Sequence, residues 1–115
     1  MKAKSLIVDT GPLIAYLNKH DRYHDWAVAQ LATANPPLIT CESVLSEACF
    51  LLRRFKCGAV NVLKLLERQL LALPFCLEEE AEAVGTLIKK YKDVPMSLAD
   101  ACLVVCLSRS PAVLS

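Results

Sequence analysis

Apolar and polar positions along this chain alternate between two rhythms. The unbroken run Leu6-Ile7-Val8 predicts a buried strand over residues 4 to 8, followed by Gly11-Pro12 and a short apolar turn of helix through Tyr16-Leu17. Asp21 is placed to cap a second helix, Arg22 to Ala34, with Trp26, Ala29, Ala32 and Thr33 marking one side, and Asn35-Pro36-Pro37 stops it. Leu38-Ile39-Thr40 predicts a second strand. From Ser43 the apolar positions Leu45, Ala48, Cys49 and Leu52 recur at helical spacing, and the run lasts to about Phe55. Gly58 breaks it, and Ala59, Val62, Leu63, Leu66 and Leu70 define the next amphipathic helix. Leu71 to Phe75 predicts a third strand, with Pro74 favouring an edge or a strand end. Glu78-Glu79-Glu80 opens a helix that closes on Lys89-Lys90-Tyr91-Lys92, a charge order that complements the helix dipole. Ser97 is a good cap for the last helix, with Leu98, Ala101, Cys102 and Val105 on one face up to about Ser108, and Ala112-Val113-Leu114 begins a fourth strand.

Strands alternating with helices, without tight hairpin signals, predict an α/β fold built on a parallel sheet. The 115 residues suffice for one domain and one core but not two. Hydrophobic residues make up 55% and charged ones 22%, which excludes a disordered tail. The formal charge of +1 gives no electrostatic sign of a nucleic-acid partner, although a balanced total can hide a basic patch. Six cysteines would suit a disulfide scaffold in a secreted protein, but no CxxC pair occurs and most of their neighbours are aliphatic. The N-terminal apolar stretch is too short for a signal peptide and meets an acid too early. The expectation is therefore reduced thiols in a cytoplasmic protein. No apolar run is long enough for a membrane span.

The carboxylate of Asp9 follows directly on a buried strand, where a turn or helix cap would account for it, and so would a site at the sheet edge. The helix after Thr40 offers Glu42 and Glu47, which at 100° per residue lie about 140° apart and cannot easily serve one site, so one of them should be solvated. Glu47 is flanked by Leu45, Ala48, Cys49 and Phe50. Asp100 sits one turn into its helix between Leu98-Ala99 and Ala101-Cys102-Leu103. Each acid alone reads as an exposed or capping residue; three of them in apolar surroundings near one sheet edge predict a shared metal site. Oxygen-only ligands favour Mg²⁺ or Mn²⁺, and such an ion suits phosphoryl hydrolysis.

With those residues in view, three segments show a resemblance: "LIVDTGPLIAYLN", "LITCESVLSEACFLLRR" and "VPMSLADACLVVCLSR". Together they resemble a PIN domain, closely the toxin ribonucleases of VapC type, from about residue 5 to the end of the chain. The resemblance implies that Asp9, Glu47 and Asp100 hold Mg²⁺ or Mn²⁺ for endonucleolytic cleavage of RNA, with Thr10 supporting a ligand or a water. It also implies a homodimer and a cognate antitoxin as inhibitor. Glu42 matches a position that is often acidic without the catalytic role. The fold implied is a three-layer α/β/α sandwich around the parallel sheet. Family members usually continue past the strand that Ala112-Val113-Leu114 begins into a fourth acid and a last strand. The expectation is thus a single PIN-like domain over residues 1–115, lacking the last strand and truncated at the C-terminus. The alternative is a non-catalytic PIN-like interaction module whose metal binding is impaired by the missing acid.

Other residues invite chemistry less strongly. His20 and His24 suggest zinc, but with Asp21 as a cap they do not face one way, and a structural or surface role is expected. Cys102 and Cys106 share a helix face and read as core thiols ahead of metal ligands. Arg53, Arg54 and Lys56 fit RNA phosphates and fit equally well a helix C-terminus. Asp93 reads as a loop acid near the Asp100 helix. A phosphatase of the haloacid dehalogenase type needs a second Asp two residues after the first, where this chain has Gly11.

Overall fold

The computed structural model describes residues 6–109. In order the elements are α1 (Thr10–Leu17), α2 (His24–Ala32), β1 (Leu38–Ile39), α3 (Glu42–Leu51), α4 (Gly58–Glu67), β2 (Leu71–Ala72), α5 (Leu77–Lys90) and α6 (Leu98–Arg109). The architecture is a helix-rich α/β fold around a small parallel sheet. β1 pairs in parallel with β2, Leu38 opposite Leu71 and Ile39 opposite Ala72, and Ile7 makes a parallel bridge to Ile39. β1 therefore lies between the other two segments.

The parallel pairing agrees with the sequence pattern, but the regular strands are shorter. Residues 6–8 join the sheet through a single bridge, and β2 ends at Ala72 where a strand to Phe75 was expected. Pro74 has no N–H to extend the ladder. The expected strand at Ala112-Val113-Leu114 lies outside the described residues, as do residues 4 and 5 of the first strand.

Two helix faces differ from expectation. α2 begins at His24, because the Asp21 carboxylate accepts a hydrogen bond from the Tyr23 N–H at 2.8 Å and closes a turn instead of capping a helix at Arg22. Its buried residue is Ala27, with Leu31 half-buried, whereas Trp26 is 53% exposed. The rotation follows from His24, whose Nδ1–H donates to the Ala15 carbonyl at 2.8 Å and pins α2 to α1; a carbonyl only accepts, so Nδ1 carries the proton. In α4 the buried position is Val62, with Leu65 and Leu66 half-buried, while Leu63 is 55% exposed. Gly58 sets that face, since a Cβ there would collide with the Leu52 carbonyl. α3 also ends earlier than Phe55, at Leu51, with the Leu52 N–H bonded back to Ala48.

α3 is the central helix, packed against α1, α4 and α6. Leu13, Val44, Val62 and Cys102 are fully buried where these helices meet. Burying each aliphatic side chain among them contributes roughly 1.5–3 kcal/mol. On α5 the expected charge order holds, with Glu78, Glu79 and Glu80 in the first turn and Lys89 and Lys90 in the last. Arg109 at the end of α6 meets Glu80 at 3.0 Å, an exposed pair whose partner carboxylate raises the pKa of the guanidinium. Among the described residues no helix is long and apolar enough to cross a membrane.

The sheet edge that carries the candidate site is fixed by one polar side chain. Thr40 is fully buried directly after β1, and its hydroxyl donates to the Val8 carbonyl at 2.8 Å. The Val8 N–H in turn donates to the Ile39 carbonyl at 2.8 Å. The chain is thus held on both sides of residue 8 immediately before Asp9.

Candidate active site

Asp9 leaves the sheet in extended backbone, φ −92° and ψ 175°, and caps α1: its Oδ1 accepts from the Thr10 N–H at 2.7 Å. Thr10 is buried, 7% exposed, and its hydroxyl reaches across to α3, donating to Glu47 Oε1 at 2.8 Å. Both donors of Thr10 therefore go to two carboxylates, the adjacent Asp9 and Glu47, the latter 37 residues beyond Thr10 in sequence. The remaining oxygen of each carboxylate makes no hydrogen bond to protein among the described residues, and both side chains are exposed. The arrangement gives two acids held from behind by a buried threonine and open to solvent in front.

The expectation that these acids sit in apolar surroundings is corrected by this geometry. Asp9, Glu47 and Asp100 are all exposed, and Glu42 is exposed as well, so burial does not set Glu47 apart from Glu42. The Thr10 hydroxyl does. It reaches Glu47 because α1 and α3 pack side by side, a contact that no periodicity within either helix announces.

Asp100 is placed differently. It lies in the first turn of α6, where its Oδ2 accepts from the Ser97 N–H at 3.2 Å while its own N–H donates to Ser97 Oγ at 3.0 Å. That is a reciprocal capping box with Asp at the third helical position. The tetrapeptide Ser97-Leu98-Ala99-Asp100 spells it: Ser97 is the expected cap, and Asp100 takes the exposed, capping place that a lone acid there predicts. Among the described residues no three His, Cys, Asp or Glu side chains are gathered as a set able to hold a metal ion. The structure thus brings Asp9 and Glu47 to a common residue and leaves Asp100 outside that link.

α6 is nevertheless anchored against α3 just beneath these acids. Ser43, one turn before Glu47, donates from its hydroxyl to Cys102 Sγ at 3.7 Å, and Cys102 is fully buried. Cys41, at the start of α3, and Cys106, further along α6, are buried beside it. Burial pushes both thiols up from their ordinary value, and the neighbouring Cys102 adds to the effect. They are neutral packing groups and not nucleophiles. All six cysteines are free. Thr40 and Ser43 escaped the sequence reading as positioning residues; a hydroxyl inside an otherwise apolar run was the available sign.

The residues that suggested zinc separate as well. His24 is committed to the Ala15 carbonyl, and His20 is exposed in the turn after α1. Arg53 folds back, its guanidinium 3.9 Å from the Phe50 ring centroid and bonded to the Phe50 carbonyl at 2.7 Å.

Residues 6–110 match the family described as the PIN domain. No curated protein sequence matches significantly. Among solved structures the fold is similar to that of VapC20 from Mycobacterium tuberculosis, described as a toxin that cleaves the sarcin–ricin loop. The TM-score is 0.79 at 23% sequence identity, over 91% of this chain and 82% of that one.

Proposed function

This chain belongs to the PIN domain family, and from that premise we propose that it is a metal-dependent endoribonuclease, the toxin of a VapC-type toxin–antitoxin pair, with Asp9, Glu47 and Asp100 as its ligand-holding acids. The observation that carries the reading is the Asp9–Thr10–Glu47 link: a buried hydroxyl spent on orienting one of two exposed carboxylates across two helices. Such a link costs conformational freedom that a merely solvated acid would keep.

The donor set fits a hard divalent cation, Mg²⁺ or Mn²⁺, because it offers carboxylate oxygens with no His or Cys among them. Bound there, the cation would supply an activated water and charge compensation for phosphodiester hydrolysis. The chain's own part is positional. The Asp9 cap aims one carboxylate from the end of the sheet, and Thr10 holds Glu47 Oε1 and leaves Oε2 toward solvent. Thr40 clamps the backbone just before Asp9, and Ser97 fixes Asp100 Oδ2 and leaves Oδ1 available. The likeness to VapC20 supports RNA as the substrate and a toxin's role. A cognate antitoxin, a homodimer and a cytoplasmic location belong to the same proposal.

A second reading, a PIN-fold module that binds without cutting, is favoured by one observation: Asp100 is engaged in a capping box and not gathered with the other two acids. The Asp9→Asn variant separates the readings. Asn retains the capping oxygen, so folding should survive, while Mn²⁺ binding by calorimetry should weaken strongly and RNA cleavage should fall by about 10²–10³-fold. A parent chain that binds no Mn²⁺ and cuts no RNA would favour the binding module.

A further inference from the structure

The other end of the α1–α3 seam carries a feature of opposite charge. Where α1 ends and α3 gives way to α4, a pocket of about 190 Å³ is lined by Asn18, Lys19, His20, Lys56 and Asn61 over an apolar floor that includes Leu52. Its cationic residues come from two distant parts of the chain, and among the described residues no carboxylate lines it. The turn that presents Lys19 and His20 is locked: Asn18 Oδ1 accepts from the His20 N–H at 3.0 Å. α4 starts in the same place, with neither a side-chain cap nor an acid in its first turn, so the positive end of its dipole is left uncompensated.

We propose that this pocket binds a backbone phosphate of the RNA strand, a subsite separate from the position of cleavage. The inference rests on the ribonuclease reading above for its choice of RNA. Along α1 the pocket lies eight residues beyond Asp9, about 12 Å at 1.5 Å per residue, and along α3 it lies about 8 Å beyond Glu47. That separation excludes contact with the scissile phosphate and suits a phosphate further along the same strand. The sequence cluster Arg53-Arg54-Lys56 is divided by the fold. Arg53 is turned back onto Phe50, and Lys56 joins Lys19 and His20. An apolar docking groove would not assemble two lysines, a histidine and two amides at its mouth.

The test is fluorescence anisotropy of the full chain with a short single-stranded RNA of mixed sequence, in EDTA so that none is cut, across a salt series. Removing both lysines from that phosphate with K19A/K56A should weaken binding about tenfold or more at low salt. It should also flatten the slope of log K against log salt by about 0.7, while K19R/K56R keeps both. A double variant that folds by circular dichroism and binds RNA as the parent does, at every salt, overturns the proposal. So does a parent chain that binds no RNA. If an acidic peptide loses affinity on these substitutions while RNA does not, the pocket serves a protein partner and the proposal also fails. Should the parent cut no RNA while the slope still changes, the nuclease reading fails and this site stands.

Discussion

α1 and α6 each hold in or beside their first turn an aspartate that accepts a backbone hydrogen bond, yet the two starts are built on different scales. At α6 everything is local: Ser97 and Asp100 satisfy one another three residues apart, and the reciprocal pair would form in any helix with that tetrapeptide. At α1 the cap is local but its neighbour is not, because Thr10 extends the arrangement to Glu47 on another helix. A local box explains itself through helix stability. A buried hydroxyl that orients an exposed acid from a distant segment has little stability to gain, since water could serve that acid equally well. The difference separates a start that stabilises from one that positions, and it makes Asp100 the residue on which the proposed site most needs testing.

Asp100 carries the largest effect expected of the two helix starts. D100N keeps an oxygen for the Ser97 N–H, and S97A removes the hydroxyl cap while keeping the charge. If Asp100 serves the site, D100N should lower RNA cleavage by about 10²-fold with little change in the urea unfolding midpoint, because an acid that meets the reacting centre is worth that much. S97A should do the reverse, costing about 1 kcal/mol of stability and leaving most of the cleavage rate of the folded protein. Equal activity in D100N and the parent would assign Asp100 to the cap alone.

T10V sharpens the other half. Valine fills the same buried volume without the hydroxyl, so Glu47 loses its support and keeps its charge. Cleavage should fall about 10–100-fold, the usual cost of losing a group that orients a ligand, while stability changes by no more than about 1 kcal/mol. A T10V protein as active as the parent would reduce the α1–α3 link to packing.

The same division between local and distant explains what the sequence made legible. Each element and the charge pattern of α5 follow from periodicity and caps within one segment, and the parallel pairing follows from the alternation of strands with helices along the chain. The faces of α2 and α4 do not. Trp26 and Leu63 lie outward because His24 is tied to Ala15 and Gly58 is pressed on Leu52, contacts between segments that a helical wheel does not contain. The candidate site shows the same limit. Asp9 and Glu47 stood out as acids in apolar runs and by family resemblance. That one hydroxyl joins them, and that Thr40 and Ser43 hold the strand and helices around them, depends on the packing of β1, α1, α3 and α6. Asp100's cap was the opposite case, written in four consecutive residues.

The smallest predicted effect probes the inner face of α6, beneath its exposed start. Cys41 and Cys106 are buried, and burial raises both thiols above the ordinary value of 9.0. The folded chain therefore holds these protons at pH values where the unfolded chain has released them. Stability from this source is fully present below about pH 9 and is lost as pH rises through the folded-state values. The urea midpoint of the parent should fall as pH rises above about 9, and C41A should fall less steeply there. S97A alters neither buried thiol, so it should leave the slope unchanged. If S97A flattened the alkaline loss and C41A did not, the hold of α6 on α3 would lie at its capped end and not in its buried thiols, and the contrast between the two helix starts would have to be redrawn.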